Sequence, residues 1–272
     1  MISLEDNAGD IIGKAQRGLS MSDSELAEKA GIDSADARKL RDGKFDEELL
    51  TRIAPVLNLS ASALCDLAKG AWQPKKVELA GLAQFNTPYH DMTVNAYLVW
   101  DAQSREAVVF DTGANCDGML RQIERDKLSV KLILLTHAHP DHIADLSRLV
   151  KTTAAPVYIS QRESAKPAQP IAEGKTFRVG ALKIESRLTW GHSEGGMTYV
   201  VAGLARPIAV VGDSLFAGSM GGGNVSYEDA LKNNLEKILT LPDETILCPG
   251  HGPMTTVGEE KKHNAFFAEC KM

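Results

Sequence analysis

The chain has 272 residues, 43% hydrophobic and 24% charged, an ordinary globular composition with room for one large core and a small additional domain. Its formal net charge of −6 leaves no whole-chain basic footprint for nucleic acid, and no apolar run approaches the ~20 residues of a membrane span. The acidic start MISLEDNAGD lacks the apolar stretch of a signal peptide, and Cys65, Cys116, Cys248 and Cys270 form no C-x-x-C pair, so a cytoplasmic protein with reduced thiols is expected.

Residues 1–72 contain no convincing strand. Five short helices are predicted, at DIIGKAQRG, SDSELAEKAG, SADARKLRDG, DEELLTRIAPVLN and SASALCDLAKG. Ser22 and Ser60 stand where N-caps belong, and Gly31, Gly43 and Gly70 where helices stop. AWQPKK then reads as a linker, because Pro74 disfavours helix at and before its own position. The expected division is a small all-α domain over 1–72 and a larger domain over 73–272.

From about residue 76 the pattern alternates. Apolar, β-rich runs occur at NAYLVW, EAVVFDTG, VKLILLTH, PVYIS, MTYVVAG, PIAVVGDS and TILCPG. Helical stretches fall between them, at GMLRQIERDKL, HIADLSRLVKT and YEDALKNNLEKILTL. Near-continuous apolar strands imply sheets covered by helices, hence a layered α/β domain.

The chemistry concentrates in THAHPDH, residues 136–142. It holds three of the seven histidines and an aspartate, at the end of one predicted strand and the start of a helix. A lone histidine is ordinarily a solvated or hydrogen-bonded side chain. Three at this spacing with an aspartate, on a turn stiffened by Pro140, are poorly explained by packing. His137 and His139 lie two apart and can reach one ion, whereas Asp141 and His142 point elsewhere and can serve a second. Imidazole and carboxylate suit zinc, and also iron or manganese. Three further candidates stand at strand ends beside glycines: His192 in TWGHSEGG, Asp213 in VVGDSLF and His251 in CPGHGP.

The series T-H-x-H-x-D-H, G-H-S, G-D-S and P-G-H-G, in this order, resembles the metallo-β-lactamase superfamily, and within it the glyoxalase II-like hydrolases. The resemblance covers roughly residues 76–265. It implies a four-layer αββα sandwich with two divalent metal ions at one edge, zinc first among the candidates. One ion would take His137, His139 and His192, the other Asp141, His142 and His251, and Asp213 would bridge them. Asp111 in FDTG resembles an aspartate that supports the metal site in this family; capping of the following turn is the alternative. The implied reaction is attack of a metal-bound hydroxide on a thioester or related acyl compound, with Asp141 orienting the hydroxide. Asp141 and Asp111 are thus the candidates for catalytic roles beyond ligation. GDSLF is not G-x-S-x-G, so Ser214 is not read as a nucleophile.

Two departures weigh against glutathione as the thiol. Only 21 residues follow His251 (272 − 251), too few for the helical extension of glyoxalase II enzymes. The segment after the bridging aspartate reads GSMGGGN, without the arginine frequent in relatives; Gly221–Gly223 are expected to form a flexible turn, with Met220 a minor candidate for substrate contact. A mononuclear-iron enzyme similar to persulfide dioxygenases is the nearest alternative. His90 and Tyr89, which precede a strand, are weighed as substrate contacts against a solvated loop. Cys116 is read as a quiet small side chain, and His263 as structural.

Within the first 72 residues, ELAEKAGI and DSADARKLRDG resemble the first helix, turn and second helix of the phage-repressor-like helix-turn-helix family. That segment holds nine Lys and Arg against thirteen Asp and Glu, a charge of −4. An excess of anions opposes phosphate binding. A homodimerisation or protein-docking module is therefore favoured over nucleic-acid binding, with a metal- or ligand-responsive DNA-binding regulator as the competing reading.

Overall fold

The computed structural model describes residues 2–268. Five short α-helices open the chain: α1 (Ala8–Gly18), α2 (Asp23–Ala30), α3 (Ser34–Arg41), α4 (Glu47–Ile53) and α5 (Ala61–Ala68). Their ends follow the sequence signals. Ser22 accepts from the Glu25 amide while the Glu25 carboxylate accepts from the Ser22 amide, which satisfies two of the free donors at the start of α2. Ser60 accepts from Ala63 N at the start of α5, and Gly31 ends α2 in the left-handed region at φ 63°.

Two six-stranded sheets follow. The first has spatial order β1 (Leu82–Tyr89), β2 (Met92–Trp100), β3 (Glu106–Phe110), β4 (Ser129–Leu134), β5 (Val157–Ser160) and β6 (Gln169–Ile171). The second runs β12 (Thr255–Thr256), β11 (Ile246–Pro249), β10 (Ile208–Gly212), β9 (Met197–Ala202), β8 (Leu182–Leu188) and β7 (Thr176–Val179). Strands β3 to β6 are mutually parallel, as are β10 and β11, and the remaining pairs are antiparallel. All seven apolar runs read as strands form strands. β1, β6, β7, β8 and β12 are not among the expected runs: β7 and β8 alternate buried with exposed positions, β1 is half-buried almost throughout, and β6 and β12 are only three and two residues long, so none shows a continuous apolar run.

The sheets pack face to face through Tyr97, Val99, Phe110, Leu134, Ile184, Tyr199, Val210 and Ile246. Over the outer face of the first sheet lie α6 (Asp117–Arg125) and α8 (Leu146–Thr153), which bury Met119, Leu146 and Leu149. The outer face of the second sheet is covered from both ends of the chain. Ile11, Ile12, Leu26, Leu50, Ile53 and Leu64 share one apolar cluster with Val211, Leu215 and Leu247, and with Ile238, Val257 and Phe266. The order helices–sheet–sheet–helices is the expected α/β layering. Complete burial of one such aliphatic side chain contributes roughly 1.5–3 kcal/mol, so the helices before residue 72 are held to the second sheet by a substantial apolar contact.

The helix predicted at HIADLSRLVKT is divided into α7 (Pro140–Ile143) and α8. YEDALKNNLEKILTL forms α9 (Tyr227–Asn233) followed by a π-helical turn, Asn234–Ile238. The last helix is α10 (Val257–His263). No helix among the described residues is long and apolar enough to cross a membrane. Cys65, Cys116 and Cys248 are buried free thiols, and Cys270 lies outside the described residues.

Candidate metal centre

Side chains at the C-terminal ends of parallel strands in both sheets converge on one edge of the sandwich. Asp111 follows β3, and His137 and His139 follow β4. Asp141 and His142 lie on α7, which begins at Pro140, where a missing amide hydrogen costs no bond. His192 lies in the β8–β9 loop, Asp213 directly after β10 and His251 after β11. Strand ends are where a layered α/β fold brings distant segments together. All seven residues implied as ligands meet here, in two groups. His137, His139, His192 and Asp213 form one, and Asp141, His142 and His251 the other, with the ligand atoms of each group within 4.8 Å of one another.

Asp213 stands between the groups. Its Oδ2 lies 3.9 Å from His137 Nε2, 3.3 Å from His192 Nε2 and 3.4 Å from His251 Nε2, and its Oδ1 lies 3.2 Å from His142 Nε2. Asp141 Oδ2 is 3.3 Å from His251 Nε2 and 3.5 Å from His142 Nε2. His139 Nδ1 is 2.9 Å from His137 Nε2 and 3.0 Å from His192 Nε2.

Four imidazoles have their outward nitrogen beside an acceptor. His142 Nδ1 lies 2.8 Å from Asp111 Oδ2, His251 Nδ1 2.6 Å from the Thr93 carbonyl and His192 Nδ1 3.0 Å from the Gly222 carbonyl. Thr136 Oγ1 donates to Asp111 Oδ2 at 2.7 Å, which leaves it to accept from His137 Nδ1 at 3.0 Å. In the neutral ring a proton on each Nδ1 would leave the Nε2 lone pair facing the centre, the tautomer a metal ligand needs. Asp111 itself sits at φ 56°, in the left-handed region uncommon for a non-glycine residue, and accepts from Thr136 N at 2.7 Å. Its carboxylate is therefore committed to Thr136 and His142, not to a helix cap.

Burial is the largest influence on every one of these groups whose ionisation shifts. It pushes His137 well below the usual imidazole range, with neighbouring imidazoles adding to the effect, and it lowers His192. Burial would also lower His142 and His251, but the carboxylates outweigh it. Asp213 and Asp111 hold His142 up to about 10, and Asp213 with Asp141 hold His251 up to about 11. In return Asp213 is held well below the ordinary carboxylate range, and Asp141 is lowered by His251 and His142. Buried anions thus keep protons on imidazoles that face them. His142 Nε2 and Asp213 Oδ1 are nevertheless buried without a hydrogen-bond partner. Orphaned donor atoms around buried carboxylates are what a cation would satisfy, and the N/O donor set fits divalent zinc, iron or manganese.

Glycines let the backbone close around these atoms. A Cβ on Gly250 would stand 2.1 Å from Asp213 Oδ1 and 2.6 Å from His142 Cε1. One on Gly221 would stand 1.9 Å from the Asp213 carbonyl oxygen and 3.1 Å from His192 Nδ1. The expected flexible turn at 221–223 is instead packed against the centre at Gly221. Glu163, which the sequence gave no reason to select, accepts from Ala138 N at 3.1 Å and Gly195 N at 3.0 Å, tying the His137–His139 turn to the His192 loop. Asn95 likewise donates to the carbonyls of Pro249 and Gly252 on either side of His251, at 2.9 and 2.8 Å.

Other candidates fall outside the cluster. Met220 is buried in the apolar cluster shared with the N-terminal helices, not turned to a substrate. Cys116 Sγ donates to Asp145 at 3.2 Å, and burial with that carboxylate pushes its thiol up to about 12, so it is quiet, as expected. His90 occupies the β1–β2 turn at φ 54°, edge-on to Tyr89 at 4.5 Å. His263 stacks on Trp72 at 5.0 Å.

Residues 91–251 match the family model described as the metallo-beta-lactamase superfamily. The chain is similar to the probable metallo-hydrolase YqgX of Bacillus subtilis (strain 168), 34% identical over 206 residues, covering 66% of this chain and 94% of that protein. It is 28% identical over 197 residues to the hydroxyacylglutathione hydrolase GloC of Haemophilus influenzae, covering 63% and 92%. Among solved structures it is similar to TTHA1623 in a di-iron-bound form, with a TM-score of 0.55 and 28% identity, covering 67% of this chain and all of that one. Helices α1–α5 precede the stretch matched by the family model.

Proposed function

The chain belongs to the metallo-beta-lactamase superfamily, and from that premise we propose that it is a dinuclear metal-dependent hydrolase acting on a thioester or a related acyl compound. The observation that carries the reading is the position of Asp213, whose two carboxylate oxygens face histidines of both groups. His137, His139 and His192 would hold one divalent ion, Asp141, His142 and His251 the other, with Asp213 shared. Ions held in this way supply Lewis acidity, acidifying water and polarising a carbonyl. The protein's own part is to present Nε2 and carboxylate donors in fixed orientation, through Asp111, Thr136, Thr93 and the Gly222 carbonyl. Asp141, whose carboxylate faces His251 and His142, would orient an attacking water by accepting a hydrogen bond from it. A thiolate leaves without protonation, so a thioester asks for no proton donor to its leaving group, which favours it over an amide. The similarity to a hydroxyacylglutathione hydrolase supports the thioester class, and the di-iron neighbour keeps iron beside zinc as the native metal.

The helices before residue 72 are read as a helix-turn-helix-derived module that serves the hydrolase. Arg41 pairs with Asp23 and Lys39 with Asp36, so two of the cations on α3 already have anionic partners. That arrangement favours protein contact over DNA contact.

Metal stoichiometry measured beside hydrolysis of a panel of thioesters, lactones and β-lactams tests the proposal. Two metals per chain with thioester turnover is the expected result, and Asp213→Ala should lose both together. A variant that keeps two metals and full turnover would remove the bridging role, and a preference for β-lactams would replace the substrate class.

A further inference from the structure

Two consecutive asparagines are buried in a helix whose spacing of apolar residues gives no reason for them. In YEDALKNNLEKILTL, Asn233 and Asn234 are 7% and 1% exposed. The turn that follows is π-helical, with the Asn234 carbonyl accepting from Leu239 N at 2.8 Å, five residues on. Such turns recur at functional sites. A buried amide is costly unless its hydrogen bonds are made, and both side chains use their N–H groups on other segments. Asn233 Nδ2 donates to the Trp190 carbonyl at 2.9 Å, two residues before His192. Asn234 Nδ2 donates to the Ser214 carbonyl at 2.7 Å, directly after Asp213, and to the Ala230 carbonyl at 3.0 Å. One helical turn thus grips the loops that carry two residues of the candidate centre.

The start of α9 seats on the same His192 loop. The Gly191 carbonyl accepts from Val225 N and Ser226 N at 2.9 and 3.0 Å, and a Cβ on Gly191 would stand 2.7 Å from Ala230 Cα. The Ser214 hydroxyl joins the bases of the two loops through the Thr189 carbonyl and hydroxyl, at 3.2 and 2.9 Å. Asn233 acts one residue nearer to His192, whose Nε2 lies 3.3 Å from Asp213 Oδ2. Asn234 Oδ1, by contrast, is buried with no hydrogen-bond partner. An unpaired buried acceptor costs stability, so packing alone would be better served there by an apolar side chain. The two ties also differ in reach. His192 belongs to one group of ligand atoms, whereas Asp213 faces histidines of both.

We infer that Asn233 and Asn234 are positioning residues with separate targets: Asn233 sets His192 and so governs one ion of the proposed pair, and Asn234 sets Asp213 and so governs both. The inference rests on the dinuclear reading, and its test separates the two. Full-length protein stripped of metal is titrated with cobalt(II) against a competing chelator, and the visible absorption of bound cobalt is followed. His192→Ala is the reference, because it removes a ligand of one ion only. Asn233→Ala should weaken one ion by about tenfold or more, leave the other within about threefold, and lose the absorption that His192→Ala loses. Asn234→Ala should weaken both ions by about tenfold or more. If an alanine variant does not fold, Asn233→Ser and Asn234→Ser carry the same contrast. Met119→Ala, a buried truncation in α6 on the outer face of the first sheet, should lower thermal stability and leave both affinities unchanged. Equal weakening of both ions in Asn233→Ala, weakening of a single ion in Asn234→Ala, unchanged affinities in either, or the same losses in Met119→Ala overturns the inference. A wild type that takes up fewer than two cobalt ions overturns the dinuclear reading, and the inference with it.

Discussion

Asp111 and His142, thirty-one residues apart in sequence, are joined by a 2.8 Å hydrogen bond beside the candidate metal centre. The bond sets the direction of His142. With Nδ1 held by Asp111, Nε2 has no hydrogen-bond partner and lies 3.2 Å from Asp213. Asp111→Asn would place an amide where the Thr136 hydroxyl and the imidazole both need an acceptor. Metal affinity should fall by roughly 10–100-fold. A competition titration against a chelator measures it, and unchanged affinity would assign Asp111 to the turn alone.

Gly250→Ala tests how tightly the backbone closes on Asp213. The added methyl would overlap Asp213 Oδ1 and His142 Cε1, at 2.1 and 2.6 Å, and overpacking of this kind costs roughly 1–3 kcal/mol. The fold should survive by circular dichroism while bound metal falls by more than about half. Full occupancy would mean that the strand-end loop yields easily.

The metal-free protein should respond to pH with a defined sign. His142 and His251 are raised from 6.5 to about 10 and about 11 by the carboxylates they face. Their protonated forms stabilise the folded metal-free chain fully below pH 6.5, and that contribution is lost as pH rises through the folded values. A cation competes for the same nitrogens, so metal binding should strengthen with pH and release protons near neutrality. Calorimetry in buffers of different ionisation enthalpy counts the protons. No release at pH 7 would show these imidazoles already neutral.

Ile12→Ala probes whether the N-terminal helices form a separate unit. Ile12 is fully buried in the cluster that also holds Val211 and Leu247 of the second sheet. Truncation of such a side chain costs about 2–5 kcal/mol. If the cluster unfolds as one body, the whole protein should lose that stability in a single transition, followed by both far-ultraviolet and tryptophan signals. An early, separate helical transition would instead favour independent domains divided near residue 72.

The residues that could hold a metal were legible because metal chemistry restricts residue types and because strand ends announce themselves. THAHPDH ends the apolar run VKLILL, GDS ends IAVV, and CPGHG ends TIL, so each motif could be placed at a loop before any contact was known. The short N-terminal helices were legible for a similar reason, since Ser22, Ser60 and Gly31 mark their ends through local hydrogen bonding and local backbone geometry. β8 was not legible, because a strand with one half-buried face mixes Lys183, Glu185 and Arg187 among its apolar residues.

The sequence by itself determined which side chains could serve a metal and in what kind of local structure they would stand, since both depend on residue chemistry and on neighbours a few positions away. Only the tertiary structure decided how those side chains are aimed and what surrounds them. Asp111 reaches His142, Glu163 joins the His137 turn to the Gly195 loop, and Glu5 comes to rest beside Gly252 because two sheets and a helical cover pack together. Each of these contacts joins residues twenty-five or more positions apart in sequence. Such pairings are fixed by the burial of distant apolar surfaces against one another, and no local pattern around Glu5 or Glu163 records them.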